Sequence, residues 1–498
     1  MFLRNRSISI TVAALLLALA PIVSAQYPGA TPPPADQKEG FDAIDVRTCR
    51  TWLTKLASRE FEGRGTGQPG YQKAADYVAA EFKKMGLIPV GDQGTYFQYV
   101  PFARITTDPA KSSLRVGEKG KLFKAGDDLE FSFGAGDVDG EVVLVRARGG
   151  EAQLEKPEIL DGRIALVVSR DTLRAPIRKQ LAESKARAVL TVSSRAGRGP
   201  RDPQTRLVAA SELSMQGLVS RELAGELLKE LGLDEKLADV PEEEGVSTEL
   251  GKLPVRLRLA GDREDILVPN VIGKLEGSDP VLKDEVVMLG SHLDHLGKVG
   301  KKIFPGADDD GSGSTALLAV AKAFSKNPVR PKRSIAFIAV CGEEMGLLGS
   351  SHYVEHPIFP IEKTVCELQM DMVGRNEHKP PKDYAKDNVD TIHLVGSKRI
   401  SMDLHETILA CNEHIKFVFE YDEESVYTRS DHYNFAKKGI PISFIFSGFH
   451  PDYHQETDTV DKINFEKIVS TARLYFLVAF EVANRQKRLK VDNGPFAN

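Results

Sequence analysis

The chain has 498 residues, of which 41% are hydrophobic and 28% are charged. These shares are ordinary for a globular protein, so they exclude a fibrous or largely disordered chain. Single cores stop growing near about 250–300 residues, so the length favours two domains or one large domain with an insertion. The net charge of −5 argues against nucleic acid or an anionic membrane as the main partner.

The first 25 residues have the pattern of a secretory signal peptide. Arg4 and Arg6 precede the mostly apolar run 8–20, and small residues stand at the −3 and −1 positions before Gln26. The apolar run is too short for a good membrane span, and an uncleaved N-terminal anchor is the alternative. We therefore expect an exported protein, periplasmic or secreted, with no integral membrane span after the signal peptide is cleaved.

Composition and periodicity divide the mature chain into parts. A Pro-rich leader (26–41) precedes a part with helical spacing of apolar residues (42–115). The next part (116–254) combines glycine-rich turns with short strand-like runs, which indicates a small β-rich unit inserted into a larger domain. In the part 255–485, short apolar runs rich in β-branched residues alternate with helical stretches, and a tail (486–498) follows.

This alternation predicts an α/β fold with a largely parallel central sheet that is covered by helices on both faces. Such sheets bind ligands at the carboxyl ends of their strands. Residues with ligand chemistry follow the apolar runs at these ends: His292 and Asp294 after 286–289, Glu343 and Glu344 after 335–340, Asp371 after 365–370, and His454 in the loop after 442–446. Between the first two runs, three consecutive Asp residues (308–310) open a helix.

Each motif alone is ordinary, since a Glu pair usually faces solvent and an Asp such as Asp310 suits a helix N-cap. Together, however, they bring two histidines and several carboxylates to one sheet edge, where the carboxylates would repel each other without a cation. Mixed histidine and carboxylate ligands suit zinc or a similar divalent ion. Five ligand positions exceed the need of one tetrahedral zinc, whereas a carboxylate that bridges two ions about 3.5–4 Å apart satisfies the count.

These segments, in this order, resemble the M28 family of zinc peptidases, which includes co-catalytic aminopeptidases and their carboxypeptidase relatives. The resemblance covers the parts 42–115 and 255–485, and the part 116–254 resembles a protease-associated domain. It implies a mixed, largely parallel central sheet flanked by helices, as in the phosphorylase/hydrolase-like fold of zinc peptidases, with the β-rich domain inserted. It also implies two Zn²⁺ ions, although other divalent ions fit the same ligands.

Carried over position by position, the resemblance implies a metal set and a catalytic set. His292 and Asp371 would hold one ion, Glu344 and His454 would hold the other, and Asp309 would bridge both. Asp294 would orient His292, Glu343 would be the general base for a water that bridges the ions, and Tyr427 would help hold the oxyanion. The resemblance further implies a cis peptide bond between Asp309 and Asp310, and we expect His295 to line the pocket or face solvent rather than bind metal.

The predicted function is an exported exopeptidase that removes N-terminal residues from peptides with a free N-terminus. A free ammonium needs acidic groups nearby, and Asp422, Glu423 and Glu424 lie close to Tyr427 in sequence. A carboxypeptidase or dipeptidase would need a cation for the C-terminal carboxylate, and Arg429 keeps that possibility open. The sequence also leaves open a metal-free receptor-like relative and a cyclase-type relative that uses one zinc.

Overall fold

The computed structural model describes residues 26–494, except 127, 150–151, 170–176, 178–179, 182–183, 197–202, 211–214, 379–387 and 422–423. The predicted signal peptide (1–25) lies outside the described residues. The strands, in chain order, are β1 Ile88–Pro89, β2 Phe97–Thr107, β3 Ser113–Val116, β4 Leu122–Lys124, β5 Leu129–Phe133, β6 Gly136–Arg148, β7 Ile164–Ser169, β8 Ala188–Val192, β9 Gln204–Ala209, β10 Met215–Val219, β11 Gly245–Leu259, β12 Gly261–Leu275, β13 Val286–His292, β14 Gly297–Val299, β15 Lys302–Phe304, β16 Ser334–Val340, β17 Thr364–Met370, β18 Thr391–Val395, β19 Val418–Glu420 and β20 Ile442–Phe446. The α-helices are α1 Lys38–Ala43, α2 Val46–Leu56, α3 Pro69–Lys84, α4 Arg221–Glu230, α5 Gly311–Lys326, α6 Leu348–Glu355, α7 Ser397–Ile400, α8 Met402–Asn412, α9 His432–Lys437 and α10 Phe465–Asn484.

A large mixed sheet carries the predicted metal ligands. Its strand order is β19-β18-β20-β17-β13-β16-β12-β2-β9, and β1 also pairs with β12. The four strands at its centre, β16, β13, β17 and β20, are parallel to one another. All residues of these four strands are buried, which explains their largely apolar sequences. The predicted α/β class is therefore confirmed, with β13 at the middle of the parallel part.

The sheet is less parallel than the sequence predicted. Strands β12, β2 and β9 add antiparallel pairs on one side, and β18 pairs antiparallel with β20 on the other. The sequence of β2 fits this antiparallel pairing, because its residues alternate between buried and more exposed positions over much of its length. Such alternation is typical of an antiparallel strand with one solvated face.

Helices cover both faces of the large sheet. On one face, α5 and α10 pack together through Phe324 and Phe476, whose ring centres are 4.8 Å apart. On the other face, Tyr353 of α6 and Phe435 of α9 pack with a separate apolar cluster. Neighbouring residues of β13 alternate between the clusters, since Leu289 belongs to the first and Met288 to the second. The centre of the sheet is therefore enclosed by apolar side chains on both faces, which suits it to hold side chains in fixed positions.

A second sheet has the strand order β4-β3-β11-β6-β7-β8-β10-β5, and it is built from the segment between Ser113 and Leu259. It has its own apolar clusters. One strand of this segment, β9, instead pairs with β2 at the edge of the large sheet. In the described part of the chain, no helix combines the length and the apolar character needed to span a membrane.

Candidate metal centre

Neighbouring strand ends bring the predicted ligands to one place. His292 is the last residue of β13, and Asp371 directly follows the neighbouring β17. Glu343 and Glu344 lie three and four residues beyond Val340, the last residue of β16, on the other side of β13. Asp309 lies in the loop that leads into α5. Because β16, β13 and β17 run parallel, their carboxyl ends meet at the same edge, as the sequence predicted.

The side chains form two groups that share Asp309. In the first group, His292 Nε2 lies 3.3 Å from Asp309 Oδ1 and 3.4 Å from Asp371 Oδ1. In the second, His454 Nε2 lies 3.1 Å from Asp309 Oδ2 and 3.1 Å from Glu344 Oε2. Two atoms bound to one tetrahedral zinc at about 2.0–2.1 Å are about 3.3 Å apart. The donor atoms therefore have the spacing of two ligand sets, with one oxygen of Asp309 turned to each.

Two histidine nitrogens and the oxygens of three carboxylates thus converge within 3.1–3.4 Å of one another in the two groups. Mixed histidine and carboxylate donors are the ligands that zinc and similar divalent ions accept. The residues present therefore fit divalent metal ions.

The three consecutive Asp residues have three different tasks. Asp308 accepts a hydrogen bond from the backbone N–H of Gly374 (2.7 Å), which anchors the loop after β17. Asp309 turns its carboxylate into the two groups. Asp310 caps α5 by accepting the N–H of Gly313, as predicted, and also accepts those of His292 and Met372. The peptide bond between Asp309 and Asp310 is cis, which confirms the expectation from the resemblance.

Asp294 connects a ligand to the residue predicted as the base. Its backbone carbonyl oxygen lies 3.1 Å from His292 Nδ1, which suits donation by that nitrogen. Its carboxylate accepts the backbone N–H of Glu343 (3.2 Å) and the hydroxyl of Thr66 (2.8 Å). The predicted positioning of His292 therefore falls to the backbone of Asp294, while its carboxylate oxygen lies 3.9 Å from the ring. The carboxylate holds the Glu343 segment instead.

Burial and the dense charge shift the pKa values of the site. Burial raises the pKa of Glu343 well above its usual range, and the carboxylates of Asp371 and Asp431 add to the shift. Burial lowers the pKa of His454, but its contacts with Asp309 and Glu344 outweigh that effect and raise the pKa to about 10. A carboxyl group with a raised pKa in a pocket is a candidate for proton transfer.

A pocket opens on the two groups and has an aromatic wall. His292, Asp309, Glu343, Asp371 and His454 line its polar side. Its other residues are Met372, Val426, Arg429, Phe444, Phe446, Phe449 and Tyr453. The ring of Tyr453 stacks on His454 with their centres 3.9 Å apart, and its hydroxyl oxygen lies 3.3 Å from a guanidinium nitrogen of Arg429. The pocket thus combines carboxylates, an apolar wall and a cation.

The structure does not place Tyr427 where the sequence predicted it. Tyr427 is buried, with 4% of its surface exposed, and it packs in an apolar cluster with Arg399 stacked 4.0 Å over its ring. Its neighbour Val426 reaches the pocket wall instead, and the phenol that faces the centre belongs to Tyr453. The spacing of Tyr427 before Ser430-Asp431-His432 does not determine how that loop turns, which explains the difference.

The residues that follow Tyr427 connect its loop to the rest of the site. The Ser430 hydroxyl donates a hydrogen bond to Asp371 Oδ2 (2.7 Å), so this loop helps to orient the proposed ligand Asp371. Asp431 accepts a short hydrogen bond from Ser350, and His432 stacks on Phe444 with their centres 4.7 Å apart. His432 belongs to neither group of candidate ligands.

Sequence reasoning missed His295. Its ring is fully buried, which contradicts the expectation that it lines the pocket or faces solvent. Its Nδ1 lies 2.7 Å from Glu344 Oε1 and 3.6 Å from Asp309 Oδ2, within the second group. The available signal was its position directly after the His292-Leu293-Asp294 motif, where a tight turn returns the chain to the same edge.

A further group of potential ligands, Glu377, His393 and Glu420, lies apart from the centre. Glu377 approaches Nε2 of His393 (3.4 Å), and Glu420 approaches Nδ1 of the same ring (3.9 Å). Because the two carboxylates face opposite ring nitrogens, one ion would not bind all three through these contacts. The ring of His393 thus lies between two carboxylates, one at each ring nitrogen.

Comparisons with known proteins find relatives of the part of the chain that carries the candidate centre. Residues 270–479 match the model of peptidase family M28. A probable leucine aminopeptidase of Arthroderma otae is 28% identical over 242 residues, which are 43% of this chain and 64% of that protein. Aminopeptidase YwaD of Bacillus subtilis is 28% identical over 228 residues, which are 44% of this chain and 46% of that protein. The matches thus span less than two thirds of the length of these relatives.

A solved structure shows the same fold over nearly the whole chain. The aminopeptidase from Aneurinibacillus sp. strain AM-1 has a TM-score of 0.52 at 21% sequence identity, covering 92% of this chain and 98% of that one. This likeness shows a shared mixed α/β fold. Residues 270–479, which carry all the candidate ligands of the two groups, match peptidase family M28, so the resemblance stated from the motifs is confirmed over this part of the chain.

Proposed function

We propose that the protein is an exported exopeptidase that uses two zinc ions to remove N-terminal residues from peptides. The observation that carries the proposal is the pair of ligand groups that share Asp309 and open on one pocket with Glu343. The names of the two relatives, a probable leucine aminopeptidase and an aminopeptidase, support the same activity.

The metal ligands are part of the proposal. His292 and Asp371 would hold one ion, Glu344 and His454 the other, and Asp309 both. Histidine with carboxylate oxygen suits zinc, and other divalent ions of similar preference fit the same set. Ions bound here would polarise the scissile carbonyl and lower the pKa of the attacking water.

Glu343 is the proposed general base. It lines the pocket beside the ligands, and its backbone N–H is held by Asp294. Its carboxylate would take a proton from the attacking water and deliver it to the nitrogen of the leaving amine. A base works best when its pKa lies near the working pH, and burial moves the pKa of Glu343 upward from the ordinary range of a glutamate.

Substrate binding follows from the two sides of the pocket. The carboxylates around the centre would attract the free ammonium of a peptide N-terminus. The wall of Met372, Phe444, Phe446 and Phe449 would accept the first side chain. The side chains of Asp422, Glu423 and Glu424, predicted to bind the ammonium, lie outside what the structure describes. The proposal therefore rests on the carboxylates of the centre itself.

A carboxypeptidase or dipeptidase is the second candidate, because Arg429 lines the same pocket. Its guanidinium lies 5.1 Å from the centre of the Phe449 ring and beside the Tyr453 hydroxyl. A guanidinium beside a metal centre is well suited to bind a C-terminal carboxylate. Arg429→Met would separate the two candidates by abolishing C-terminal cleavage while sparing N-terminal cleavage.

A mixture of short peptides tests the activity directly. Some peptides carry acetylated N-termini and others carry amidated C-termini, and mass spectrometry follows their shortening by the purified mature protein with added zinc. We expect stepwise loss from free N-termini only. Loss from free C-termini would overturn the aminopeptidase proposal in favour of the second candidate. No shortening, together with no bound zinc, would support a receptor-like protein.

Export and domain organisation are further parts of the proposal. We propose that residues 1–25 are removed as a signal peptide and that residues 116–254 are an inserted domain of the protease-associated type. The separate sheet and apolar clusters of the segment support the insertion. N-terminal sequencing of the protein recovered from outside the cytoplasm tests the cleavage before Gln26.

A further inference from the structure

His295 stands beside one of the two ligand groups without belonging to the ligand set that the family resemblance implies. We infer that His295 binds the same ion as Glu344 and His454 through its Nδ1 atom. The inference rests on the proposed two-metal function and deepens it, because the two ions would then be held by unequal sets of side chains.

The contacts of the ring place Nδ1 among the donor atoms of the second group. It lies 2.7 Å from Glu344 Oε1 and 3.6 Å from Asp309 Oδ2. The rings of His295 and His454 are 5.7 Å apart between centres and tilted by 65°, so the two imidazoles approach the carboxylate of Glu344 from different sides. Two rings that bind one tetrahedral or five-coordinate ion need such an arrangement.

The polar atoms of this short contact are not aligned as in a directional hydrogen bond. Among the described residues, neither ring nitrogen of His295 has a hydrogen-bond partner, and the Oε1 atom of Glu344 has none either. The side chain of His295 is fully buried. Buried polar atoms without partners are costly and rare in folded proteins. A cation at the point where these atoms converge satisfies Nδ1 and Oε1 together.

The surroundings hold the ring in this position. The backbone N–H of His295 donates to the carbonyl oxygen of Arg64 (3.3 Å), and Gly65 forms a β-bridge with His295. The ring lies against Gly306, where a Cβ atom would come within 2.5 Å of the imidazole carbons. The backbone of His295 and the space beside its ring are therefore fixed by protein contacts before any ion binds. This reduces the entropic cost of ordering the ring as a ligand.

The consequence is an asymmetric centre. The ion on the side of Glu344 would be bound by four side chains, those of His295, Asp309, Glu344 and His454. The other ion would be bound by three, those of His292, Asp309 and Asp371, and would keep more positions open for substrate. The first ion should bind tightly and the second should exchange.

X-ray absorption spectroscopy of the zinc-loaded mature protein tests the ligand itself, because it counts imidazoles per metal. We expect three imidazoles for two zinc ions in the wild type and two in His295→Asn. The matched control is His432→Asn, which removes a buried histidine of the same region that belongs to neither group and should leave the count at three. An unchanged count in His295→Asn would overturn the inference, including when the affinity falls, because His295 would then act only through Glu344.

Zinc titration against a chelator adds an independent readout. We expect two classes of site in the wild type, and His295→Asn should weaken the tight class by about tenfold to a hundredfold or more. Asp371→Asn should weaken only the other class. Equal weakening of both classes by His295→Asn would contradict the asymmetry. If that variant does not fold by circular dichroism, His295→Gln with Co²⁺ absorption as the readout replaces it, and an unchanged Co²⁺ spectrum overturns the inference.

The outcome is separable from that of the proposed function. A wild type that binds two ions through three imidazoles and cleaves no peptide would contradict the exopeptidase proposal but still support the role of His295. A wild type that cleaves N-terminal residues with only two imidazoles on its ions would do the reverse.

Discussion

Arg64 is a fully buried cation whose guanidinium binds backbone oxygens near the centre. It donates to the carbonyl oxygens of Leu293, Leu56, Pro305 and Gly306 at 2.7–2.9 Å. Leu293 lies between His292 and Asp294, and Gly306 begins the loop that leads to Asp309. One side chain thus ties the strand end that carries His292 to the loop that carries the shared carboxylate.

We expect Arg64→Lys to destabilise the protein strongly, since an ammonium cannot reach the four oxygens from one position. Each buried carbonyl left without a partner costs about 1–3 kcal/mol, so the free energy of unfolding should fall by roughly 2–5 kcal/mol. Urea unfolding in the presence of a chelator measures this without a contribution from metal. Arg59→Lys, at an exposed position nearby, is the control and should change little.

The adjacent residues Glu343 and Glu344 offer a matched pair of substitutions for the proposed chemistry. Glu343→Gln should keep both zinc ions and lower turnover by about 10²–10⁴-fold or more, because it removes a base and no ligand. Glu344→Gln should lose zinc as well as turnover. Metal analysis and peptide cleavage on the same samples measure both effects. Near-normal turnover of Glu343→Gln would show that the base is another group.

At the residue scale, the ligands of the centre could be predicted because each follows a strand or opens a helix within a specific motif. The positions of Tyr453, Tyr427 and His295 could not be predicted in this way. The backbone at His454 is left-handed (φ 57°), and Tyr453 stacks on its ring, a geometry that no spacing in the sequence encodes. Likewise, Tyr427 lies in an apolar cluster rather than in the pocket, because the direction of the loop depends on what packs beneath it.

At the scale of elements, helix α5 and the strands around β13 meet through Asp310. Its carboxylate accepts backbone N–H groups from α5, from the end of β13 and from the residue two beyond β17. Most of α5 is buried, so its position is set by packing and its first turn is set by this carboxylate. The parallel centre was predictable from unbroken apolar runs, whereas the antiparallel pairing of β12 with β2 depends on contacts between distant segments.

We expect Asp310→Ala to cost far more than the loss of an ordinary N-cap, which is about 0.5–2 kcal/mol. Three backbone N–H groups would lose their acceptor, so the free energy of unfolding should fall by about 3–5 kcal/mol or more. The control is Ser401→Ala at the N-cap of α8, where the hydroxyl accepts only the N–H of Leu404. Urea unfolding of the metal-free proteins compares them, and equal losses would show that Asp310 is a simple cap.

At the scale of the whole molecule, each sheet has its own apolar core. The large sheet packs between two clusters that include Leu289 and Met288, whereas the second sheet packs on clusters that include Leu144 and Val145. Among the described residues, the candidate metal centre lies on the large sheet. Cores of this kind unfold as separate cooperative units when few contacts couple them.

We therefore expect two transitions in calorimetry, of which only one responds to metal. A ligand present at a hundred times its dissociation constant stabilises by about 2.7 kcal/mol. Removal of zinc by a chelator should lower the midpoint of one transition by about 5 °C or more and leave the other within error. A shift of both transitions by equal amounts would show that the sheets unfold as one unit.

The pairing of β9 with β2 means that the segment 116–254 covers the outer edge of β2. A long outer strand presents a row of unsatisfied N–H and C=O groups that invites pairing with other chains, and proteins commonly cover such strands. Six residues of β9 hydrogen-bond along β2 from Phe102 to Thr107 and cover it. A shortened chain that lacks residues 116–254 would keep every proposed metal ligand yet expose this row, so self-association, rather than loss of the metal centre, would be its first defect.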